Sequence, residues 1–197
     1  IIVFLAILKK IKKFDYTLLI YDVFPENLIA AGILKQNSIV YKLIKKIYDW
    51  SYLKADRLVV IGRDMEEVIR VKTNNKISTI LIENWCDFTK IIPTNKNDNK
   101  ILNDLGIVNK KIFLFAGNLG RVQGIQNMLD AAEDINNDNF VLLFIGDGAM
   151  KKDIEEHIKI SKKKNVIYAG SFPMSEQNIF LNACDIAMVS LSDSMYG

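Results

Sequence analysis

The sequence contains few of the residues on which several classes of protein depend. Of its 197 residues only two are cysteine and one is histidine. Cys86 and Cys184 lie in unrelated local contexts, so neither a disulfide framework nor a thiolate metal site is indicated, and a reducing compartment, the cytoplasm, is expected. His157 lies among lysines and acids on a polar helical segment, which leaves no Ser-His-Asp or Cys-His arrangement.

The sequence also lacks a strong charge excess, a metal-binding motif and a long apolar run, and each absence excludes a class of function. The 26 basic side chains barely outnumber the 23 acidic ones, and a net charge of +3 is too small to indicate a dedicated nucleic-acid binder. The sequence has no D-x-D triplet and no cluster with metal-ligand spacing, so no bound metal ion is expected. The longest apolar run, residues 1–8, is far shorter than the roughly 20 residues that cross a bilayer.

The sequence is rich in hydrophobic residues, which make up 50% of it and can form a sizeable core. Continuous apolar runs of strand length alternate with longer segments of helical period, a pattern typical of parallel strands covered by helices on both faces. The predicted class is therefore α/β. Strands are predicted over residues 16–20, 57–61, 77–82, 111–116, 140–145, 166–169 and 186–190. Helices are predicted over residues 1–14, 38–55, 64–70, 125–135, 150–161 and 175–184.

A change of composition divides the chain. Between residues 83 and 109, Pro93 and an Asn/Lys-rich tract interrupt the apolar rhythm before a new strand begins at Lys111. We predict a first Rossmann-like domain over residues 1–90, a linker and the start of the second domain over 91–110, and a second Rossmann-like domain over 111–197. Because the chain opens on Ile1 inside an apolar stretch and closes on Gly197 directly after a predicted strand, both domains are expected to be incomplete pieces of a longer protein.

The most informative motif is the turn after the predicted strand 111–116. It contains Gly117, Gly120 and Gly124, with Arg121 between them, and a helix is predicted to start at once. Glycine lets backbone amides approach a ligand closely, and a helix start adds unpaired N–H groups and about half a positive charge. The turn therefore predicts an anion site in which Arg121 supplies donors suited to a diphosphate. The alternative is a tight strand-to-helix turn with an exposed arginine.

A second glycine turn, Gly146-Asp147-Gly148, follows the next predicted strand. Because the carboxyl ends of neighbouring parallel strands open onto one crevice, this turn is expected beside the first. A dinucleotide-binding domain would also place an acid such as Asp147 here, to bind a ribose hydroxyl. The spacing G-x-x-G-x-x-x-G in the first turn differs from G-x-G-x-x-G and argues against that alternative.

Two carboxylates, Asp22 and Glu26, flank Pro25 after the first predicted strand. Acids at the carboxyl end of a strand face the crevice and could accept a hydroxyl proton or bind a sugar. Equally, Asp22 could cap a turn and Glu26 could begin a helix near its positive end.

The helix predicted over residues 38–55 carries several lysines beside aromatic side chains. Such a helix could rest on an anionic membrane surface, or it could be a packed helix with solvated lysines.

Taken in order along the chain, these motifs resemble the retaining nucleotide-sugar glycosyltransferases of GT-B architecture, family four. Within that family the sequence is similar to bacterial surface-polysaccharide enzymes such as the colanic-acid and aminofucosyl transferases. The matching segments are residues 22–26 with Gly32, 55–65, 82–87, 115–124, 146–148, 165–170 with 172–173, and 183–185. Many family members carry arginine after the first loop glycine and lysine before the last, whereas this chain has Asn118 and Gln123. Arg121 is therefore expected to supply the missing cation.

The resemblance implies transfer of a sugar, with retention, from a UDP- or GDP-sugar to a hydroxyl of a polyprenyl-linked glycan acceptor at the inner face of the membrane. It implies no metal ion and no cofactor besides the donor. It implies catalytic roles for Arg121 at the departing diphosphate and for Asp22 and Glu26 facing the acceptor. The residues implied to hold the donor are Gly117, Asn118, Gly120, Gln123, Gly124, Gly146, Asp147, Gly148, Ser171, Phe172 and Met174.

The family also has a glycine-rich first strand and an acidic region late in the second domain, and this sequence contains neither. Residues 1–197 alone are therefore expected not to turn over. Two alternatives stay open: an NAD(P)-binding oxidoreductase domain with Asp147 on the ribose, and a non-catalytic peripheral-membrane partner.

Overall fold

The computed structural model describes residues 1–191, which divide into two compact units, residues 1–86 and residues 87–191. Each unit contains a parallel sheet, so the predicted α/β class is confirmed. Among residues 1–191 no helix has both the length and the apolar composition that crossing a bilayer requires.

The first unit alternates helices and strands as the sequence predicts. Its elements are α1 (Ile2–Ile11), β1 (Thr17–Ile20), α2 (Glu26–Ala30), α3 (Ile39–Tyr52), β2 (Arg57–Val60), α4 (Arg63–Thr73) and β3 (Ser78–Leu81). The strands pair in parallel in the order β1-β2-β3. Leu58 and Val60 on the central strand β2 are fully buried, and they pack with Ile20 and Ile69.

Local signals in the sequence set the helix ends of this unit. Ser38 caps α3, as predicted, because its hydroxyl oxygen accepts a hydrogen bond from the amide of Tyr41 at 3.1 Å. Lys9 and Lys10 lie in the last turn of α1, where cations interact favourably with the helix dipole. Glu26 lies in the first turn of α2, near the positive end of that helix.

The second unit has its own parallel sheet. Its helices and strands are α5 (Lys100–Asp104), β4 (Lys111–Asn118), α6 (Ile125–Asp134), β5 (Phe140–Asp147), α7 (Lys151–Ile160), β6 (Val166–Tyr168), α8 (Gln177–Leu181) and β7 (Ile186–Ala187), with 3₁₀ turns at Phe88–Lys90, Lys96–Asp98 and Met174–Glu176. The sheet order is β6-β5-β4-β7. When the four strands are numbered by their order in this unit, the sheet order is 3-2-1-4, which is the arrangement of a Rossmann-like sheet. The topological switch point of the sheet lies between β4 and β7.

The apolar run of β5 is buried on both faces of this sheet. Leu142 and Phe144 pack in a core cluster with residues of α6 and α7, and Leu143 and Ile145 pack in a second cluster with residues of α5 and α8. Successive side chains of a strand point to opposite faces, so a strand covered by helices on both sides reads as a continuous hydrophobic run.

The structure differs from the sequence-based prediction at three elements. The short helix α5, which lies in the tract predicted as a linker, is capped by Asn99, whose Oδ1 accepts from the amide of Leu102 at 3.3 Å. The predicted helix 175–184 is a 3₁₀ turn followed by the shorter α8. Strand β7 is shorter than predicted, because its pairing with β4 ends at Ala187.

Candidate active site

The two glycine turns of the second unit lie side by side, as the sequence predicts. Gly117 pairs with Gly146, and Asn118 pairs with Asp147, at the carboxyl ends of β4 and β5. Beyond the ladder, the amide of Leu119 donates to the carbonyl oxygen of Asp147 at 2.8 Å. The turns therefore form one continuous backbone surface at the end of the sheet where ligands bind in this class of fold.

Close contact between the two turns explains why two of these positions are occupied by glycine. Gly146 has a φ of +136°, and a Cβ atom there would lie 1.8 Å from the carbonyl oxygen of Gly117. A Cβ atom at Gly148 would lie 2.5 Å from the backbone of Leu119. A side chain at either position would push the two turns apart.

A cavity of about 420 Å³ opens beside the paired strand ends. Seven of the residues predicted to hold the donor line it: Gly117, Asn118, Gly146, Asp147, Ser171, Phe172 and Met174. Gln177, a polar residue that begins α8 and was not predicted from the sequence, also lines the cavity. No motif marks Gln177, because only the 3₁₀ turn before α8 brings this helix to the cavity.

The start of α6 has unpartnered hydrogen-bond donors. Gly124 adopts a left-handed conformation, with a φ of +61°, and α6 begins at the next residue, as predicted. The first backbone bond into the helix runs from the amide of Met128 to the carbonyl oxygen of Gly124 at 3.3 Å. Within residues 1–191 the amides of Ile125, Gln126 and Asn127 have no acceptor. Three N–H groups without an acceptor at the positive end of a helix dipole are features typical of anion-binding sites.

Arg121 lies in the turn immediately before this helix. Its side chain is exposed and makes no hydrogen bond or ion pair within the described part of the chain. The guanidinium group is therefore free to bind an anionic ligand.

Gln123, two residues further along, is partly buried, and its side-chain oxygen has no hydrogen-bond partner within residues 1–191. A Cβ atom at Gly120 would lie 2.4 Å from that oxygen. Gly120, Gln123 and Gly124 thus pack within and behind the turn and do not line the cavity.

Asp147 stabilises its own turn with one carboxylate oxygen, which accepts from the amide of Gly148 at 2.8 Å. The second oxygen has no partner among residues 1–191 and is available to a ligand hydroxyl.

The first unit places its two predicted acids in different environments. Asp22 is exposed beyond the end of β1 and has no partner among the described residues. Glu26 accepts hydrogen bonds at both carboxylate oxygens, at 2.7 and 2.8 Å, from the ammonium group of Lys72. The Lys72 side chain is only 3% exposed and also contacts Asp49 at 2.6 Å. No sequence signal distinguishes Lys72 from the solvated lysines of the chain.

The buried side chain of Tyr52 contacts the segment that contains Glu26. The hydroxyl oxygen of Tyr52 accepts from the amide of Phe24 at 3.1 Å. Burial raises the pKa of Tyr52 from its ordinary value to about 12. Lys72 and Tyr52 together fix residues 24–26, which begin two positions after Asp22.

Comparison with known proteins identifies a family match in the second half of the chain. Residues 97–194 match the family described as "Glycosyl transferases group 1". The chain is 41% identical to the probable glycosyltransferase WbjE of Pseudomonas aeruginosa over 184 residues, which are 93% of this chain and 46% of that protein. It is 26% identical to the putative colanic acid biosynthesis glycosyl transferase WcaI of Escherichia coli K12 over 121 residues, 60% of this chain and 29% of that protein. The chain therefore spans less than half the length of these relatives.

Solved structures share the fold at low sequence identity. Sucrose-phosphate synthase from Thermosynechococcus elongatus superposes with a TM-score of 0.74 at 17% identity, over 92% of this chain and 46% of that one. HepE from Anabaena, solved in complex with UDP-glucose, superposes with a TM-score of 0.76 at 14% identity, over 96% of this chain and 50% of that one. Together with the family match and the relatives, this likeness confirms the resemblance to GT-B glycosyltransferases, with residues 97–194 matching the group 1 glycosyl transferase family.

Proposed function

We propose that the protein transfers a sugar from a nucleoside-diphosphate-sugar donor to a hydroxyl of a lipid-linked glycan acceptor, with retention, in the synthesis of a bacterial surface polysaccharide. Binding of the nucleotide-sugar donor is supported mainly by the start of α6, where three amides without an acceptor in residues 1–191 follow Arg121. The acceptor half is supported by the resemblance to surface-polysaccharide enzymes and by the name of the colanic acid relative.

The proposed chemistry develops charge at the diphosphate. The bond between C1 of the sugar and the diphosphate oxygen breaks, and its electron pair leaves with the diphosphate. Donors that are already oriented toward this oxygen stabilise the transition state. We assign this role to Arg121 and to the free amides of α6, with no metal ion.

The remaining donor contacts follow from the residues that line the cavity. Gly146 lets the backbone approach the donor, and Asp147, Asn118 and Gln177 offer polar groups to its sugar and ribose hydroxyls. Gly148 does not line the cavity and instead permits the close contact with the backbone of Leu119. The backbone of residues 171–174 is proposed to hold the base.

On the acceptor side we propose that the hydroxyl oxygen forms the new bond to C1 and that Asp22 receives its proton, because the Asp22 carboxylate is exposed and unpaired in the described part of the chain. Glu26 is also proposed to face the acceptor. Because Lys72 already binds both of its oxygens, Glu26 is better suited to orient this segment than to take a proton.

Calorimetric titration of the chain with UDP, GDP and NAD tests the donor proposal. We expect UDP or GDP to bind and the variant Arg121→Gln to bind about tenfold or more weakly, since a hydrogen bond to a charged group is lost. The matched control is Arg63→Gln, which removes from the first turn of α4 an exposed arginine that has no partner among residues 1–191. Binding of NAD without UDP or GDP would favour the oxidoreductase alternative, and binding of none of the three would overturn the donor proposal.

Nucleotide binding is the appropriate first readout for this chain. Because it spans less than half the length of its relatives, we expect residues 1–197 alone to bind the nucleotide without transferring sugar. Transfer by this chain would contradict that expectation.

A further inference from the structure

Helix α8 brings three side chains to the cavity beside the paired strand ends. Gln177, Phe180 and Leu181 all line that cavity. The helix has only five residues, and no side chain among residues 1–191 caps its first turn. Because a helix this short is not stable by itself, contacts with the rest of the second unit must hold α8 in place.

Two asparagines on one side of α8 bind a distant segment of the chain. Asn178 lies in the helix and Asn182 directly follows it, so the two are four positions apart and on the same side. The side-chain oxygen of Asn178 accepts from the amide of Ile92 at 2.7 Å. Asn182 accepts from the amide of Thr94 at 2.9 Å, and its side-chain nitrogen donates to the carbonyl oxygen of Ile92 at 3.0 Å. Three hydrogen bonds thus join α8 to residues 92–94.

Residues 92–94 depend on these side chains for a fixed position. The segment belongs to no strand, and Pro93 has no N–H group and favours an extended conformation in the residue before it. The asparagine amides satisfy both backbone groups of Ile92 and the amide of Thr94, as a neighbouring strand would. Ile92 is 62% exposed, so water could replace these bonds at little cost in stability. Their main effect is therefore to fix α8 against the segment.

The following residues extend this attachment to other elements of the unit. The side-chain nitrogen of Asn99, which caps α5, donates to the carbonyl oxygen of Ile179 on α8 at 2.8 Å. The ammonium group of Lys96 donates to the carbonyl oxygen of Lys110 at 2.6 Å, immediately before β4. Residues 92–99 therefore tie α8 to α5 and to the strand that ends at the first glycine turn.

We propose that Asn178 and Asn182 are positioning residues of the donor cavity, which hold α8 against residues 92–94 so that Gln177 meets the bound donor. A ligand that contacts α8 favours the state in which the helix is held, and such coupling is reciprocal. Donor binding and the attachment of residues 92–94 should therefore stabilise each other. This inference rests on the proposed function, because it requires the nucleotide-sugar to bind in the cavity.

Calorimetric titration with UDP and GDP tests the proposal through four variants of the asparagines. Asn178→Ala and Asn182→Ala should each bind the nucleotide about fivefold or more weakly than the parent chain. Asn178→Asp should bind like the parent chain, because a carboxylate oxygen still accepts from the amide of Ile92. Asn182→Asp should bind more weakly, because a carboxylate cannot donate to the carbonyl oxygen of Ile92. Both aspartate variants add one negative charge, so the difference between them reports the hydrogen bonds.

Hydrogen exchange of individual amides, followed by NMR, gives a second readout. In the parent chain, nucleotide binding should slow exchange at the amides of Ile92 and Thr94, and both alanine variants should lose this effect. The matched control is Asn103→Ala. Its side-chain nitrogen donates to the carbonyl oxygens of Asn97 and Asn99 at 2.8 and 2.9 Å, so the variant loses similar bonds without losing any to α8. It should bind the nucleotide like the parent chain.

The outcomes separate this inference from the donor proposal. Equal nucleotide affinities of the parent chain and the alanine variants, or an equal loss in Asn103→Ala, would overturn the positioning role alone. If an alanine variant did not fold, the two aspartate variants would decide, and equal affinities of Asn178→Asp and Asn182→Asp would overturn it. Failure of the parent chain to bind either nucleotide would overturn the donor proposal and this inference together.

Discussion

The variant Gly146→Ala tests whether the close contact between the two glycine turns holds the proposed donor pocket in shape. The added Cβ atom would lie 1.8 Å from the carbonyl oxygen of Gly117, whereas real Cβ contacts are essentially never shorter than 3.0 Å. The ends of β4 and β5 must therefore separate by about 1.2 Å. Backbone atoms on both sides leave no flexible side chain that could move instead.

The expected cost has two parts. A side chain at a positive φ costs about 1 to 2 kcal/mol, and overpacking a close contact costs about 1 to 3 kcal/mol. The free energy of unfolding of the second unit should therefore fall by about 2 to 5 kcal/mol. For a chain of this size that change lowers Tm by about 4 to 20 °C. Because Gly117 and Gly146 both line the cavity, UDP affinity should also fall, by about tenfold or more.

Thermal unfolding followed by circular dichroism, with and without UDP, measures both effects. The control is Gly106→Ala, because Gly106 also has a positive φ, +68°, but a Cβ atom there would meet nothing within 4 Å. The control therefore carries the conformational cost without the clash and should bind UDP like the parent chain. If Gly146→Ala unfolded at the same temperature as the control and bound UDP equally well, the contact between the turns would not constrain the pocket.

Two ion-pair sites and the proposed independence from metal ions can each be tested separately. Lys72→Met should lower the free energy of unfolding of the first unit by about 3 kcal/mol in urea titrations, since it leaves the carboxylates of Glu26 and Asp49 without their buried partner. Lys100→Met, at an exposed pair, should leave unfolding unchanged, and equal effects would contradict the structural role of Lys72. Burial raises the pKa of Asp185, but hydrogen bonds from Lys96 and from the amide of Ile112 outweigh burial and hold it below its ordinary value. The stability that Asp185 contributes is present above about pH 4 and is lost as the pH falls through the lowered pKa, so the deficit of Asp185→Asn should be constant above about pH 4 and shrink below it. UDP binding should be unchanged by EDTA, and its loss on chelation would contradict the metal-free proposal.

The order of strands and helices was predictable because most of these elements are marked by a residue pattern within their own segment of the sequence. The buried run of β5 and the Ser38 cap of α3 are readable from neighbouring residues alone. Helix α5 was not predictable, since its tract is polar and its cap Asn99 also donates to the carbonyl oxygen of Ile179, 80 residues away. β7 was predicted too long because its length depends on pairing with β4, which local composition does not encode.

At the candidate site, the sequence by itself determined which groups are available: the glycines that permit close backbone approach, the single guanidinium of the turn, and a helix that must begin with free N–H groups. These are local properties of a strand-turn-helix segment. The tertiary structure alone decided which groups meet, placing Gly146 against Gly117, bringing Gln177 to the cavity, and burying Lys72 beneath Glu26. Such contacts join residues far apart in the chain, and they depend on sheet order and packing, which short-range patterns do not specify.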